Sequence, residues 1–466
     1  MTNELIKLSA REVHRLLRDK DISPLQLLDA LEERIAEVDQ AVNAVPTLCF
    51  DRARERARSR DFSTLPLAGI PVAIKDLIAV AGVRTTWGSM AYRDHVPETS
   101  DLLVERIEAA GGIVYAKTNT PEFGAGANTF NDVFGFTRNP WNTALSAAGS
   151  SGGSAVALAT GMAWLATGSD LGGSLRNPAS FCAVAGLRPS QGRVASDPGN
   201  LAFNHMAVDG PMARNVADLA LLLDVMAGYD ARDPMSLDDP AISFEENALQ
   251  RQVPPRIAFS ADLGVTPVDP EVAQICERAA MRFSELGAIV EHDHPDFSGL
   301  QEVFQVHRAM SYAASFGPLL EANRLIFKPE IVWNVEKGLA LTADEIMSAM
   351  VTRSQIYERA QRFFAQTDLI LTPATVVPPY PVEQRFVERI GDYKFSNYIE
   401  WCSIAYAFTV IGAPALSIPC GFTQSGLPVG LQIVAAPRQE ARLLSAALAF
   451  EELAGICTQL PIDPRS

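Results

Sequence analysis

The sequence predicts an α/β protein, because short apolar runs alternate with capped helical segments along most of its 466 residues. The run "GIPVAIKDLI" is typical of a strand, "SDLLVERIEAAGG" of a helix closed by Gly111, and "IVYAKT" of the next strand. Hydrophobic residues make up 48% of the chain, which is ample material for a large core. No segment resembles a linker between independent domains, so one domain over residues 1–466 is the simplest organisation.

The N-terminal segment carries a helical pattern with helix-starting residues. Ser9 precedes "AREVHRLL" as a cap, and Ser23 with Pro24 precedes "LQLLDALEERIAEV" as a cap and first-turn residue. We expect these helices, within residues 1–60, to pack on the α/β core.

The second half repeats the alternation of strands and helices. "RIAFS" predicts a strand, Asp269 and Pro270 open a helix that ends at Gly287, and "AIVEH" predicts another strand. "DLILTP", "ALSIP" and "VGLQIV" predict the late strands. In "NVADLALLLDVMAG", helical spacing places four apolar side chains on one face: Val216, Leu219, Leu223 and Met226.

Composition excludes several classes of partner. The chain has 39 basic and 55 acidic residues, a net charge of −16, and no basic block that could follow a phosphate backbone, so nucleic acid is not expected as a ligand. The apolar stretch 402–422 is interrupted by Pro414 and Pro419 and predicts buried core rather than a membrane span.

The start of the sequence and the cysteines indicate the compartment. "MTNELIKLSAREV" lacks an apolar region after a basic one, so we expect neither a signal nor a transit peptide and a cytoplasmic protein. The six cysteines show no C-x-x-C or zinc spacing. We expect them to be reduced and mostly buried.

Serine and glycine are concentrated in "AAGSSGGSAVALATGMAWLATGSDLGGSLRNPASF", residues 147–181. Small residues often only permit close packing of a helix on a strand. In "GSDLGGSLR", however, consecutive glycines lie between Asp170 and Arg176, and successive glycines can direct backbone N–H groups into one concavity. Such a concavity can serve as an oxyanion hole beside a nucleophilic serine.

A second motif in the same stretch suggests a different nucleophile. Residues 149–153 fit G-x-S-x-G, the nucleophile elbow of α/β-hydrolases, with Ser151 at its centre. That mechanism needs a late histidine, but the last histidine is His307. It also needs a strand before the elbow, where "NPWNTALSAAG" is typical of a loop.

The base that would activate a serine is not obvious. None of the six histidines clusters near the glycines, and we assign no role to them: His14, His95, His205, His292, His294 and His307. Lys75 follows an apolar strand and could act as a base once its pKa is lowered. Its surroundings also allow two ordinary interpretations, a buried stem with an exposed amine or a salt bridge beside Asp76.

Several motifs together resemble the amidase signature family, and the similarity extends over most of the chain. "PVAIKDLI", "AKTNTPEFG" and "FGFTRNPWN" resemble its N-terminal blocks. "GSSGGSAVALATG" and "GSDLGGSLRNPASFCAVAGLRPS" resemble the signature itself, and "GPMARNVADLALLLDVMAG", "DLILTPA" and "IGAPALSIPCGFTQSGLPVGLQIV" the later blocks. The resemblance implies the family fold, a central mixed β-sheet covered by helices on both faces.

The resemblance also implies a catalytic triad of Lys75, Ser150 and Ser174. Ser174 would be the nucleophile, and Ser150, joined to Gly149 by a cis peptide bond, would bridge it to a neutral Lys75. The ordinary pKa of lysine, about 10.4, must then be lowered by burial. Activity is therefore expected to rise from neutral towards alkaline pH.

Further roles follow from the same resemblance. It implies an oxyanion hole formed by backbone N–H groups, those of Leu171, Gly172, Gly173 and Ser174. Gly124 and Ser150 correspond to positions that contact the substrate, and Asp170 with Arg176 to a structural brace of the loop.

The activity implied is hydrolysis of a carboxylic amide to a carboxylate and an amine or ammonia through a seryl acyl-enzyme. A small-molecule amide would be the substrate, with no metal or organic cofactor, and a homodimer is possible. The alternative within the family is the glutaminase subunit of a tRNA-dependent amidotransferase, although "TRSQIYERAQRFFAQTDLILTP" resembles the stand-alone amidases.

Two features remain open to interpretation. Ala147 and Ala148 stand where the family usually has Pro and Gly, and Ala148 would be strained if it adopts a positive φ. An apolar acyl or aryl pocket is suggested by Trp87, Met90, Phe123, Phe130 and Trp401.

Overall fold

A mixed β-sheet runs through the protein, whose computed structural model describes residues 2–197, 199, 201–203 and 206–466. The strands are β1 (Thr47–Leu48), β2 (Pro71–Lys75), β3 (Ile113–Thr118), β4 (Phe130–Asn131), β5 (Gly135–Phe136), β6 (Arg138–Asn139), β7 (Asn142–Ser146), β8 (Leu165–Asp170), β9 (Ala185–Arg188), β10 (Val208–Ala213), β11 (Arg256–Phe259), β12 (Ile289–His292), β13 (Leu369–Pro373), β14 (Arg389–Ile390), β15 (Tyr393–Lys394), β16 (Ala415–Phe422) and β17 (Pro428–Ala435).

Helices follow most of these strands. They are α1 (Thr2–Leu5), α2 (Ala10–Arg18), α3 (Pro24–Val42), α4 (Phe50–Ser59), α5 (Leu102–Ala109), α6 (Gly152–Ala159), α7 (Arg176–Cys182), α8 (Val216–Met226), α9 (Phe244–Ala248), α10 (Pro270–Met281), α11 (Leu300–Ala322), α12 (Pro329–Leu339), α13 (Ala343–Phe364), α14 (Ser403–Val410) and α15 (Glu440–Ala454).

The large sheet of the described chain has 11 strands in the order β1-β3-β2-β8-β10-β9-β16-β17-β13-β11-β12. Strand β2 is parallel to both β3 and β8, whereas β10 is antiparallel to β8 and β9. Every residue of β2, β3 and β17 is buried. Because successive side chains of a strand point to opposite faces, both faces are covered, which confirms the predicted mixed sheet with helices on each side.

The predicted helix starts are confirmed at the N-terminus. Ser9 caps α2 and Ser23 caps α3, each in a capping box in which a side chain three residues later bonds back to the cap. The Asp218 carboxylate of α8 accepts from the N–H groups that open α2. The largest cluster of buried hydrophobic side chains begins at Ile6 and extends to Phe450, so the N-terminal helices pack on the same core as the sheet.

One local prediction is confirmed and extended, and one needs correction. The four predicted apolar side chains of α8 are buried, and so are most of its other residues, because α2, α5, α9, α15 and β10 all pack against it. The segment "NPWNTALSAAG", predicted as a loop, contains the short hairpin of β6 and β7.

The segment 402–422 contains α14 and all of β16, both largely buried, in agreement with the prediction of core. Within the described residues, no helix combines the length and the apolar character that a bilayer span requires. The segment predicted to end at Gly287 is α10 followed by a 3₁₀ turn, with Gly287 at φ 88°.

A smaller hydrophobic cluster lies apart from the main core, where α11 and α12 pack along each other as a helical hairpin. We call it the hairpin cluster; its buried members are Ala125, Tyr312, Leu320, Phe327, Ile331 and Val335. Its side chains come from the hairpin and from the turn after β3.

Candidate active site

The candidate site forms where two neighbouring parallel strands end. Lys75 is the last residue of β2, and Ser169 lies at the end of β8. The carboxyl ends of parallel strands meet at one edge of a sheet, so these side chains converge. Ser150 lies two residues before the start of α6, and Ser174 lies two residues before the start of α7.

The Lys75 amine is fully buried and surrounded by hydroxyl groups. Nζ donates to Ser150 Oγ at 2.7 Å, to Ser151 Oγ at 2.8 Å and to Ser169 Oγ at 3.0 Å. The side chain is 0% exposed, so the interpretation as a lysine with an exposed amine is wrong.

The suggested pairing of Lys75 with Asp76 is also wrong. Asp76 pairs instead with Lys117, at 3.2 Å. Adjacent residues at the end of a strand point to opposite faces, which keeps Lys75 and Asp76 apart.

Burial lowers the pKa of Lys75 to about 7, although the negative charges of Asp209 and Asp170 act to raise it. Within the described part of the chain, no carboxylate lies within ion-pair distance of Nζ. A large fraction of the amine can therefore be neutral near physiological pH, as a proton acceptor must be.

The segment before α6 has an unusual backbone. The peptide bond between Gly149 and Ser150 is cis, as the family resemblance implied. Ala148 adopts φ 55°, where a Cβ atom crowds the backbone and costs about 1–2 kcal/mol. The Ala148 carbonyl accepts from Thr129 Oγ1 at 2.8 Å, so this segment keeps the left-handed turn without the usual glycine.

Asp170 organises the loop between β8 and α7. Its carboxylate accepts from Gly173 N at 3.0 Å, from Leu175 N at 3.1 Å and from Arg176 Nη2 at 2.7 Å. Burial alone would raise the pKa of Asp170, but Arg176 and Arg188 hold it well below its usual range. The ion pair of Asp170 and Arg176 is fully buried, which fits a bracing role.

One glycine of this loop, Gly173, is needed for space and conformation. Gly173 has φ 106°, and a Cβ atom there would lie 2.6 Å from Asn177 Oδ1. The N–H of Gly173 is engaged by Asp170. The N–H groups of Leu171, Gly172 and Ser174 donate to no acceptor in the described part of the chain.

A cavity of about 210 Å³ opens onto these groups. The lining residues are Leu77, Phe123, Gly124, Ser150, Ser169, Leu171, Ser174, Ala207, Ser311, Tyr312, Ser315 and Phe316. Among these described residues none is charged. The predicted positions Ser150, Ser174, Gly124 and Leu171 thus share one cavity, whereas Gly172 and Gly173 are buried and are not among its lining residues.

Gly124 lies close to the catalytic candidates. It has φ 68°, and a Cβ atom there would lie 2.9 Å from Leu77 Cδ1 and 3.5 Å from Ser150 Oγ. The preceding Phe123 also has a positive φ, 48°. Such a conformation in an aromatic residue is rare and is found mostly where function constrains the backbone.

The aromatic residues suggested for a pocket separate into different places. Phe123 lines the cavity, while Met90 and Phe130 line another one. Trp401 is buried core at 1% exposure, and Trp87 packs against Tyr92.

Sequence reasoning did not find two features of the site. The contacts of Ser151 and Ser169 with Lys75 were not predicted, because Ser151 was considered only as a nucleophile and no strand was assigned to residues 165–170. The cavity wall formed by Ser311, Tyr312 and Phe316 gave no local signal, because helix α11 lies far along the chain. His205, to which no role was assigned, lies outside the described residues.

The fold and the site define an α/β enzyme with a buried lysine and serines around an uncharged cavity. The family model described as Amidase matches residues 26–444. The chain belongs to this amidase family and is a hydrolase of the C–N bond of carboxylic amides.

Proteins similar to this chain in sequence include an acylamidase and an amidotransferase subunit. An acylamidase of Rhodococcus erythropolis is 33% identical over 98% of this chain and 97% of its own length. A glutamyl-tRNA(Gln) amidotransferase subunit of Moorella thermoacetica is 37% identical over 96% of this chain and 97% of its own length.

Solved structures similar to this chain also include an acylamidase and an amidotransferase subunit. A bacterial aryl acylamidase of the amidase signature family has a TM-score of 0.90 and 28% identity, covering 98% of this chain and 99% of its own. The corresponding glutamyl-tRNA(Gln) amidotransferase subunit of Thermotoga maritima has a TM-score of 0.75 and 27% identity, covering 96% of this chain and 95% of its own.

Proposed function

We propose that this enzyme cleaves a small, neutral carboxylic amide through an acyl-enzyme on Ser174, with Lys75 as the base. Ser174 Oγ attacks the carbonyl carbon while its proton passes to Ser150 and the proton of Ser150 passes to Lys75 Nζ. The carbonyl oxygen becomes an oxyanion that accepts from free backbone N–H groups of the loop 171–174.

Collapse of this intermediate completes the first half of the reaction. The proton held by Lys75 returns through Ser150 to the leaving nitrogen, the C–N bond breaks, and the amine departs. Water then attacks the ester by the same route and releases the carboxylic acid and free Ser174. Lys75 acts as a base in each attack and as an acid in each departure.

The observation that carries this proposal is the buried contact of 2.7 Å between Lys75 Nζ and Ser150 Oγ, together with the lysine pKa of about 7. A protonated lysine could not accept a proton, and burial removes most of that obstacle. Ser174 lines the same cavity as Ser150, and its hydroxyl makes no hydrogen bond within the described residues, so it is available to a substrate.

Ser151 is a weaker candidate for the nucleophile. It contacts Lys75 at 2.8 Å, but it is 0% exposed and does not line the cavity. A nucleophile must reach the carbonyl carbon at about 3–3.5 Å, which a fully buried hydroxyl does not allow.

The glutaminase alternative is favoured by the amidotransferase relatives, and the cavity argues against it. Free glutamine carries an ammonium and a carboxylate, and a site that binds it must offer charged or strongly polar partners. The described lining offers hydroxyls, small residues and aromatic rings. The higher TM-score to the aryl acylamidase also supports a stand-alone amidase.

Labelling with a fluorophosphonate tests the mechanism. We expect a single adduct on Ser174, found by intact mass and peptide mapping, that forms far more slowly in Lys75→Ala and Ser150→Ala. Ser151→Ala is the matched control, since it removes the other hydroxyl that contacts Lys75, and we expect it to slow labelling less. An adduct on Ser151, or one unaffected by Lys75→Ala, would refute the assignment.

A second assay separates the two functions. Ammonia release from glutamine is compared with amine release from neutral anilides, using the isolated chain. Efficient use of glutamine together with failure on the anilides would favour the role of an amidotransferase subunit.

A further inference from the structure

A buried positive charge lies directly behind the cavity wall. Arg308, on α11, is 2% exposed, and no carboxylate lies within 4 Å of it among the described residues. Nη1 donates to Asn334 Oδ1 and Nη2 to Tyr312 OH at 3.4 Å. The guanidinium therefore has neutral partners only.

Two aromatic rings compensate for the missing anion. The guanidinium carbon of Arg308 lies 4.6 Å from the ring centre of Tyr312 and 5.2 Å from that of Tyr398. A guanidinium stays charged in proteins, and a buried charge without a counter-ion is unfavourable unless rings and dipoles surround it. Arg308 is thus a cation that an approaching anion would stabilise.

Tyr312 separates this charge from the cavity. Tyr312 lines the cavity, whereas Arg308, whose guanidinium contacts the Tyr312 ring, is not among the lining residues. Arg308, Tyr312 and Phe316 follow one another at intervals of four along α11, so they form one row on the helix surface.

Neighbouring contacts hold the Tyr312 ring in place. Its hydroxyl lies 3.5 Å from the carbonyl oxygen of Phe123, to which it donates. The rings of Phe123 and Phe316 stack at 4.3 Å, and those of Tyr312 and Phe316 lie 5.4 Å apart. The wall is therefore a layer of rings that covers the cation.

We propose that Tyr312 is a specificity-determining residue that screens Arg308 from the cavity, so that the enzyme selects amides of neutral, apolar acyl groups. Removal of the ring opens a path from the cavity to the guanidinium and makes amides of acidic acyl groups substrates. This inference rests on the proposed function, because it assumes that the acyl group occupies this cavity beside Ser174.

Two isosteric anilides test the proposal. Succinyl 4-nitroanilide carries a carboxylate where 4-methylpentanoyl 4-nitroanilide carries an isopropyl group of similar shape. We expect the wild type to prefer the neutral anilide by about tenfold or more in kcat/KM, because a carboxylate in an uncharged cavity loses its hydration. In Tyr312→Ala we expect kcat/KM for the succinyl anilide to rise by about tenfold or more.

Control variants identify what raises kcat/KM for the succinyl anilide in Tyr312→Ala. Tyr312→Phe keeps the ring and should keep the preference for the neutral anilide. Tyr312→Ala combined with Arg308→Gln should lose the gain because the cation is absent. Tyr312→Ala combined with Asn334→Asp should also lose the rise in kcat/KM for the succinyl anilide. In this variant the arginine is kept, but the new carboxylate at position 334 pairs with it.

Labelling of Ser174 by a fluorophosphonate shows that each variant is folded and competent. A wild type that prefers the succinyl anilide overturns the proposal. The proposal is also overturned if Tyr312→Ala labels normally but shows no rise in kcat/KM for the succinyl anilide. It is equally overturned if that rise persists when Arg308→Gln is added. Failure of the wild type to label at Ser174 instead refutes the proposed function, and this inference with it.

Where turnover of either anilide is too slow to measure, protection of Ser174 gives the same comparison. 4-Methylpentanoate should protect the wild type from the fluorophosphonate better than succinate does, and Tyr312→Ala should shift the ratio of the two towards succinate by about tenfold or more. An unchanged ratio in Tyr312→Ala contradicts the proposal.

Discussion

The floor and the outer wall of the cavity are built in different ways. The floor consists of Lys75 and the serines around it, held at the ends of β2 and β8 and supported by the main core. The wall comes from the α11–α12 hairpin, which packs through its own hairpin cluster. The floor depends on directed hydrogen bonds, and the wall on contacts between rings.

This difference teaches where the enzyme tolerates change. A buried polar network is favourable only when all of its members are satisfied, so removal of one group leaves others unpaired. Ring contacts are less directional, and a wall formed by them can be reshaped at modest cost. We therefore expect changes in the floor to abolish the reaction and changes in the wall to redirect specificity.

The largest effect is expected from loss of the base. Lys75→Met keeps an unbranched apolar stem but removes the proton acceptor, and kcat should fall about 10³- to 10⁴-fold. The measurement is kcat for a neutral anilide, with the melting temperature as the control for folding. A loss of less than tenfold in a folded variant would show that the floor does not carry the chemistry.

Removal of the Asp170 carboxylate, which braces the loop, is expected to have the next largest effect. Here the loss is in folding stability. Asp170→Asn leaves Arg176 and Arg188 buried without their counter-ion, and the free energy of unfolding should fall by about 3–5 kcal/mol. Denaturant unfolding followed by circular dichroism measures it. An effect below about 1 kcal/mol, the level of an exposed pair, would contradict the view of the floor as a rigid unit.

Lowering the pH should inactivate the enzyme by protonating Lys75 in the floor, without an effect on the wall. The active form of Lys75 is neutral, and its pKa is about 7, so activity is lost as pH falls through 7 and reaches a plateau above it. Below the pKa, kcat/KM should fall about tenfold per pH unit. The rate of fluorophosphonate labelling should follow the same curve, and a maximum on the acid side of pH 7 would exclude neutral Lys75 as the base.

The smallest effect is expected from the wall. Phe316→Ala removes the ring stacked on Phe123, an interaction of about 0.5–1.5 kcal/mol. We expect kcat/KM for a long apolar acyl anilide to fall about tenfold, as one lost apolar contact allows, while that for an acetyl anilide changes little. An equal loss for both anilides would mean that the wall also affects the reaction at the floor. It would contradict the view that the wall sets only specificity.

Sequence patterns predicted the helices and strands well where the information is local. Caps at Ser9 and Ser23, and strands such as "IVYAKT", were found because capping and periodicity depend on neighbouring residues. The motifs around Lys75, Ser150 and Ser174 indicated the site before its geometry was known. The other buried faces of α8 were not predicted, because they depend on which elements pack around that helix.

The sequence by itself determined the α/β class and the family, and it supplied candidate residues for the site. Only the tertiary structure decided that Lys75 contacts three serines rather than Asp76, and that α11 covers the cavity with Tyr312 in front of Arg308. The physical reason is distance along the chain. Local patterns reflect contacts within a few residues, whereas burial, the pKa of Lys75 and the cavity wall arise from segments that folding alone brings together.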